Sequence, residues 1–266
     1  MKLETHTLVS EEHVGRCNVM LRSLSLHCAV RPVLHDDGSL TARSVDQLRD
    51  EWPDALIISR TEADQRTAEQ LTGHPKVRWW RSHNIRATQL VDYFLLAEQD
   101  RVLALDTDVV FLRKPTDILD WVSAAEGASP HFFYSPEFDP DPSGIHWLPE
   151  AVPDAPFIPA MCCGFAAVQV DEFLDLDYLE NLIDRTDPGI VGRQRFVTQM
   201  YYSLMAGRLP AQRVASLGER YRSGPVENLP PCGDRVICHY FGSAESGSGI
   251  EGVWHSYPHL QPMLTL

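Results

Sequence analysis

Two aspartates one residue apart, Asp106 and Asp108, are the side chains here best suited to chemistry, because paired carboxylates can grip a hard divalent cation. The pattern alone is weak. Twenty-one aspartates in 266 residues give roughly one or two Asp-x-Asp matches by chance, and the chain contains three. Asp175 and Asp177 fall in a helical pattern, where residues two apart point about 200° away from each other, which suits a solvated face. Asp139 and Asp141 alternate with prolines, where a loosely held backbone makes a poorly preorganised site. Asp106 and Asp108 instead follow the apolar run Val102-Leu103-Ala104-Leu105, and in extended backbone residues two apart project to one side. Like charges beside a buried strand repel unless a cation neutralises them, so this pair is the candidate metal site. The alternative is a polar turn closing the strand.

The elements that must hold such a pair can be read outward from it. The run 102–105 is apolar on both faces, as a buried central strand must be. Upstream, β-type runs alternate with helical patterns, which predicts an α/β fold with a mostly parallel central sheet flanked by helices. Residues 3–9 read as a strand, and Ser10 with Glu11 and Glu12 opens a helix whose stripe is Val14, Cys17, Leu21, Leu24 and Cys28. A second strand at Val33-Leu34-His35 ends in Asp36-Asp37-Gly38-Ser39, and Ser44 with Gln47 fits a capping box for the next helix. A strand at 55–58, a polar helix near 61–71 and a helix over 85–98 lead to the aspartates. Beyond Pro115 a helix is expected over 116–125. Seven prolines from Pro136 to Pro159, with Trp147 among them, exclude a helix or central strand and predict a long ordered surface loop. Residues 165–170 read as a strand, 171–185 and 194–206 as helices, and 235–240 as a last strand.

Composition sets the outer bounds. With 44% hydrophobic and 23% charged positions, residues 1–266 are read as one domain. A net charge of −14 without a Lys/Arg cluster argues against nucleic-acid polymers and anionic membranes as partners. The N-terminal segment has no signal-peptide pattern and no run reaches bilayer-spanning length, so a cytoplasmic protein is expected. The six cysteines (Cys17, Cys28, Cys162, Cys163, Cys232, Cys238) show no C-x-x-C spacing, so reduced thiols are expected rather than a zinc framework.

The segment Asp100-Arg-Val-Leu-Ala-Leu-Asp-Thr-Asp-Val-Val-Phe-Leu-Arg-Lys-Pro115 resembles the metal-binding strand and loop of GT-A nucleotide-sugar glycosyltransferases. The resemblance is strongest to glycogenin-like and galactosyltransferase-like members of family 8 and their bacterial relatives. It implies that Asp106 and Asp108 bind manganese and, with Thr107, help seat the nucleotide sugar. Met161-Cys-Cys-Gly-Phe-Ala-Ala-Val-Gln169 resembles the family strand whose N-[ST]-G faces the donor sugar, with Gly164 matched and Cys162 and Cys163 in place of the polar pair. Val197-Thr-Gln-Met-Tyr-Tyr-Ser-Leu204 resembles the D-Q helix, with Gln199 retained as a catalytic candidate. Cys238-His-Tyr-Phe-Gly242 resembles the terminal His-x-x-Gly segment, which makes His239 the third metal ligand and Gly242 a donor-site residue.

The family's Lys-Pro-Trp is replaced by Ser243-Ala-Glu-Ser-Gly, so another cation must meet the diphosphate. Arg86 has the best positional match, with Arg81, Arg193 and Arg195 behind it. Asp36 and Asp37 sit where such enzymes place an acid that recognises base or ribose; a tight Asp-Gly turn is the equal alternative. The resemblance implies a metal-dependent transferase moving a hexose from a UDP-type donor. Its donor half would cover about 1–115 and its acceptor-side half about 116–266. A nitrogen ligand favours Mn²⁺ over Mg²⁺. The resemblance implies retention of configuration; Glu137 or Asp139 would serve as base if the reaction inverts, and Trp147, Trp254 and Tyr257 could stack on an acceptor. A nucleotide-sugar hydrolase and an inactive nucleotide-sugar binding module are the competing readings.

Overall fold

The first strand, β1 (Leu3–Val9), is polar at four successive positions, yet Glu4, Thr5, His6 and Thr7 are all fully buried. Neighbouring elements partner two of the four. Glu4 accepts from the Glu98 amide at 2.8 Å, from Arg31 at 3.0 Å and from His6 at 3.0 Å, while His6 meets His35 at 2.9 Å. The remaining strands are β2 (Val30–Asp36), β3 (Leu56–Ile58), β4 (Arg101–Leu105), β5 (Val109–Phe111), β6 (Phe132–Pro136), β7 (Met161–Gln169), β8 (Val214–Ser216) and β9 (Ile237–His239). The computed structural model describes residues 2–125, 127, 130–137, 151–192, 196–223 and 234–239.

Seven strands form one sheet in the order β3-β2-β1-β4-β7-β6-β8, and β5 pairs with β9 in a separate ribbon. β1 runs parallel to β2 and β4, β2 to β3, and β6 to β8. β7 alone runs against its neighbours, antiparallel to β4 and β6. The expected α/β class with a mostly parallel central sheet is what the chain adopts. From β1 the chain moves outward through β2 and β3, then returns to the other side of β1 as β4. That reversal makes the carboxyl ends of β1 and β4 a topological switch point, the place where open α/β sheets bind ligands.

β4 is buried throughout, and its alternate residues serve two cores. Val102 and Ala104 pack with Trp80, Tyr201 and Tyr202, whereas Leu103 and Leu105 pack with Leu21, Leu24 and Phe165. A strand covered on both faces has no polar side, which explains its continuous apolar run.

Several boundaries differ from expectation for local reasons. Thr41, not Ser44, caps helix Ala42–Glu51, its hydroxyl accepting the Ser44 amide at 3.2 Å. Helix Pro75–His83 was not anticipated; its proline lies at the helix start, where a missing N–H costs nothing. The single helix expected over 85–98 is a 3₁₀ turn, Ile85–Gln89, followed by the short helix Asp92–Leu95. Residues 171–185 divide into Val170–Phe173 and Leu176–Arg185, because the Asp175 carboxylate accepts the Tyr178 amide and starts a new helix. Asp177 is exposed beside His74, as a solvated position should be. The described end of the proline-rich segment is held from within: Ile158 exchanges hydrogen bonds with Ser203, and a Cβ at Gly207 would meet Pro156 O at 2.4 Å.

No described helix is long and apolar enough to cross a membrane. Among the described cysteines, Cys17, Cys28, Cys162, Cys163 and Cys238 are free thiols.

Candidate metal and donor site

β4 ends at Leu105, and Asp106-Thr107-Asp108 form a turn in which the Val109 amide donates to Asp106 O at 3.3 Å. The two carboxylates therefore converge through a turn, and not through the strand pleat that their spacing suggested. β5 then pairs antiparallel with β9, and the register sets His239 opposite Val109. His239 Nε2 lies 3.1 Å from Asp108 Oδ1 and 3.6 Å from Asp106 Oδ2. One ligand atom from each residue falls within 4.8 Å of the other two. An octahedral ion with bonds of about 2.1 Å has cis edges of about 3 Å, so the donor set fits a divalent cation taking oxygen and nitrogen ligands.

The electrostatics point the same way. Burial pushes the Asp106 carboxyl above the usual range, and the Asp108 charge adds to that. Burial also opposes ionisation of Asp108, but the His239 imidazole beside it holds the carboxyl below its ordinary value. His239 is held well above the usual imidazole value although burial works against it, because Cys162 and Asp108 favour the charged ring. A divalent ion held in such a cluster would displace the imidazole proton.

Gly164 is required by the close approach of β7. Its carbonyl accepts the Asp106 amide at 2.9 Å, and a Cβ there would lie 2.2 Å from His239 Cε1 and 2.9 Å from Asp106 Oδ2. Two partners of the ligands had not been anticipated. Gln89 Nε2 donates to Asp106 Oδ1 at 2.6 Å, and Cys162 Sγ lies 3.3 Å from His239 Nδ1. Cys162 thus takes up a position beside His239, where the pattern this segment resembles has a polar side chain. Burial raises both the Cys162 and Cys163 thiols, which disfavours a thiolate nucleophile. Neither contact is legible in spacing, since each joins segments far apart in the chain.

The other candidates lie around this cluster. Gln199 is buried at the start of helix Val197–Gly207, accepts the Cys163 amide at 3.4 Å and donates to Glu137 at 3.4 Å; Ser223 donates to the other Glu137 oxygen at 3.0 Å. Thr107 is buried in the turn between the two aspartates. Arg86 is exposed on the turn Ile85–Gln89, and its charge acts on Asp106, as that of Arg16, which sequence reasoning passed over, acts on Asp108. Arg81 is corrected: it is buried and bound to both oxygens of Asp92 at 2.6 and 2.7 Å, so it is committed to the core. At the carboxyl end of β2, Asp36 accepts the Gly38 and Leu40 amides and Asp37 accepts the Ser39 amide. Asp139, Asp141, Trp147, Arg193, Arg195, Cys232, Gly242, Trp254 and Tyr257 lie outside the described residues.

This sheet order, with a metal-competent turn after its central strand, is a GT-A-like architecture. Among solved structures it is similar to galactosyltransferase LgtC in complex with donor and acceptor sugar analogs (TM-score 0.57, 12% identity, 98% of this chain and 95% of that one). It is equally similar to mouse xyloside xylosyltransferase 1 (TM-score 0.57, 12% identity, 92% and 99% of the two chains). The glycosyltransferase GlyE of Streptococcus pneumoniae matches with TM-score 0.57 and 12% identity over 99% of this chain and 62% of its own. At such identities the likeness is one of fold. No sequence-family model matches the chain, and no curated protein matches it.

Proposed function

We propose that this chain is a metal-dependent glycosyltransferase that moves a hexose from a nucleotide-sugar donor, a UDP-hexose in our reading, to a sugar, peptide or other small acceptor. The observation that carries the proposal is the Asp106, Asp108 and His239 cluster at the switch point of a GT-A-like sheet. These three residues would hold Mn²⁺, with Mg²⁺ as the alternative. When bound, the cation supplies Lewis-acid neutralisation of the departing diphosphate.

The chain's own groups divide the remaining work. Gly164 leaves room for the His239 ring and the Asp106 carboxylate to pack against β7, which keeps both side chains in the cluster. Arg86 acts on Asp106 and Arg16 on Asp108 as positive charges, which suits diphosphate oxygens in the absence of the family lysine. Thr107 would seat the phosphate, Gln199 the transferred sugar, and Asp36 or Asp37 the base or ribose, with Gly242 beside the donor. In this reading residues 1–266 form one domain, its donor half ending near 115.

The test is a thermal-shift panel of UDP, GDP and dTDP sugars with and without Mn²⁺, on the wild type and Asp108→Asn. Donor at a hundred times its Kd should stabilise the wild type by about 2.7 kcal/mol, only with metal, and leave the variant unmoved. Stabilisation that needs no metal and survives the substitution refutes the proposal.

A further inference from the structure

A carboxylate that holds a metal has two oxygens, and something must decide which one faces the ion. For Asp106 the division is visible. Oδ2 points into the cluster, 3.6 Å from His239 Nε2, while Oδ1 accepts the Gln89 amide at 2.6 Å. We propose that Gln89 is a positioning residue: it claims Oδ1 of Asp106, presents Oδ2 alone to the metal, and is itself braced by helix Val197–Gly207. The proposal rests on Asp106 being a metal ligand.

Two properties of Gln89 suit this role. Its amide is neutral, so it fixes a carboxylate oxygen without cancelling the charge of Asp106. A lysine or arginine donor would hold the oxygen equally well but would offset part of the negative charge that two aspartates offer a divalent ion. The amide is also anchored from behind. The Gln89 carbonyl accepts the Tyr202 hydroxyl at 2.7 Å, and the Arg86 carbonyl, at the other end of the same turn, accepts Thr198 Oγ1 at 3.0 Å. Both anchors stand on helix Val197–Gly207, whose Gln199 also takes the Cys163 amide next to Gly164. One helix therefore braces the turn and the strand that flank Asp106, and the orientation of that carboxylate follows the helix.

The experiment measures Mn²⁺ binding by electron paramagnetic resonance, without donor, on the wild type, Gln89→Leu, Gln89→Ala and Tyr202→Phe, with the metal-free melting temperature recorded for each. Gln89→Leu removes the donor at similar volume from a partly exposed position. It should melt near the wild type yet bind Mn²⁺ about 10- to 100-fold more weakly, with an altered bound-Mn²⁺ spectrum as Asp106 rotates. Gln89→Ala gives the same reading should the leucine variant not fold, and Tyr202→Phe should show a smaller loss of the same kind. Wild-type affinity and spectrum in the Gln89 variants overturn the proposal while leaving the metal site standing. A wild type that binds no Mn²⁺ removes the Asp106, Asp108 and His239 site itself.

Discussion

Gly164 is as constrained as the side chains packed against it. A methyl group there would overlap the His239 ring and crowd Asp106 Oδ2, and both neighbours are fixed, one by the β5–β9 ladder and the other by Gln89. Gly164→Ala should therefore lower stability by about 1–3 kcal/mol through overpacking and weaken Mn²⁺ binding more than tenfold as the imidazole turns away. Calorimetric melting and Mn²⁺ titration check this together; wild-type metal affinity in the variant would contradict it. The residue pattern made Gly164 legible only as a match to a motif. Its physical reason, a histidine from another strand occupying the space a Cβ would take, is a tertiary fact.

Among the elements, the helix after β2 shows how local chemistry is decided by what is nearby. Ser44 and Gln47 satisfy the spacing of a capping box, yet the helix begins three residues earlier because the Thr41 hydroxyl takes the Ser44 amide. Glu11, from the turn after β1, reinforces that choice by accepting from the Thr41 amide at 2.9 Å and the Ser44 hydroxyl at 2.7 Å. Thr41→Ala should cost about 1 kcal/mol in urea unfolding, and Gln47→Ala, at an exposed position, under about 0.5 kcal/mol. The opposite ranking would restore the capping box. The break of the 85–98 stretch has larger consequences. Gln89 closes the 3₁₀ turn, and its side-chain amide stands 2.6 Å from the Asp106 carboxylate.

Across the whole molecule, the sheet assigns the chemistry to one edge. The carboxyl ends of β1, β2, β4 and β6 lie on the same side, and the reversed β7 brings its early residues, Cys162 to Gly164, to that side as well. Hydrogen exchange on adding UDP and Mn²⁺ should show new protection in 85–89, 106–109 and 162–164. The opposite edge, around Leu3, Val30, Arg101 and Gln169, should be unchanged. Protection confined to that opposite edge would place the ligand elsewhere and defeat the site.

From its sequence alone this chain declared a buried strand ending in two carboxylates, because a run apolar on both faces can be satisfied only in the middle of a covered sheet. It also declared the α/β alternation around that strand, since periodicity is a local property. Resemblance to a family motif already set His239 beside those carboxylates; what local pattern could not declare was how that histidine arrives, or that Gln89 and Cys162 stand with it. His239 reaches them through the register of β9 on β5, Gln89 through a turn held by Tyr202, and Cys162 through the reversal of β7. Arg81, a looser phosphate-ligand candidate under the resemblance, is removed by a buried aspartate eleven residues on. Each of these depends on which distant backbone packs against which, and only the tertiary structure decides that.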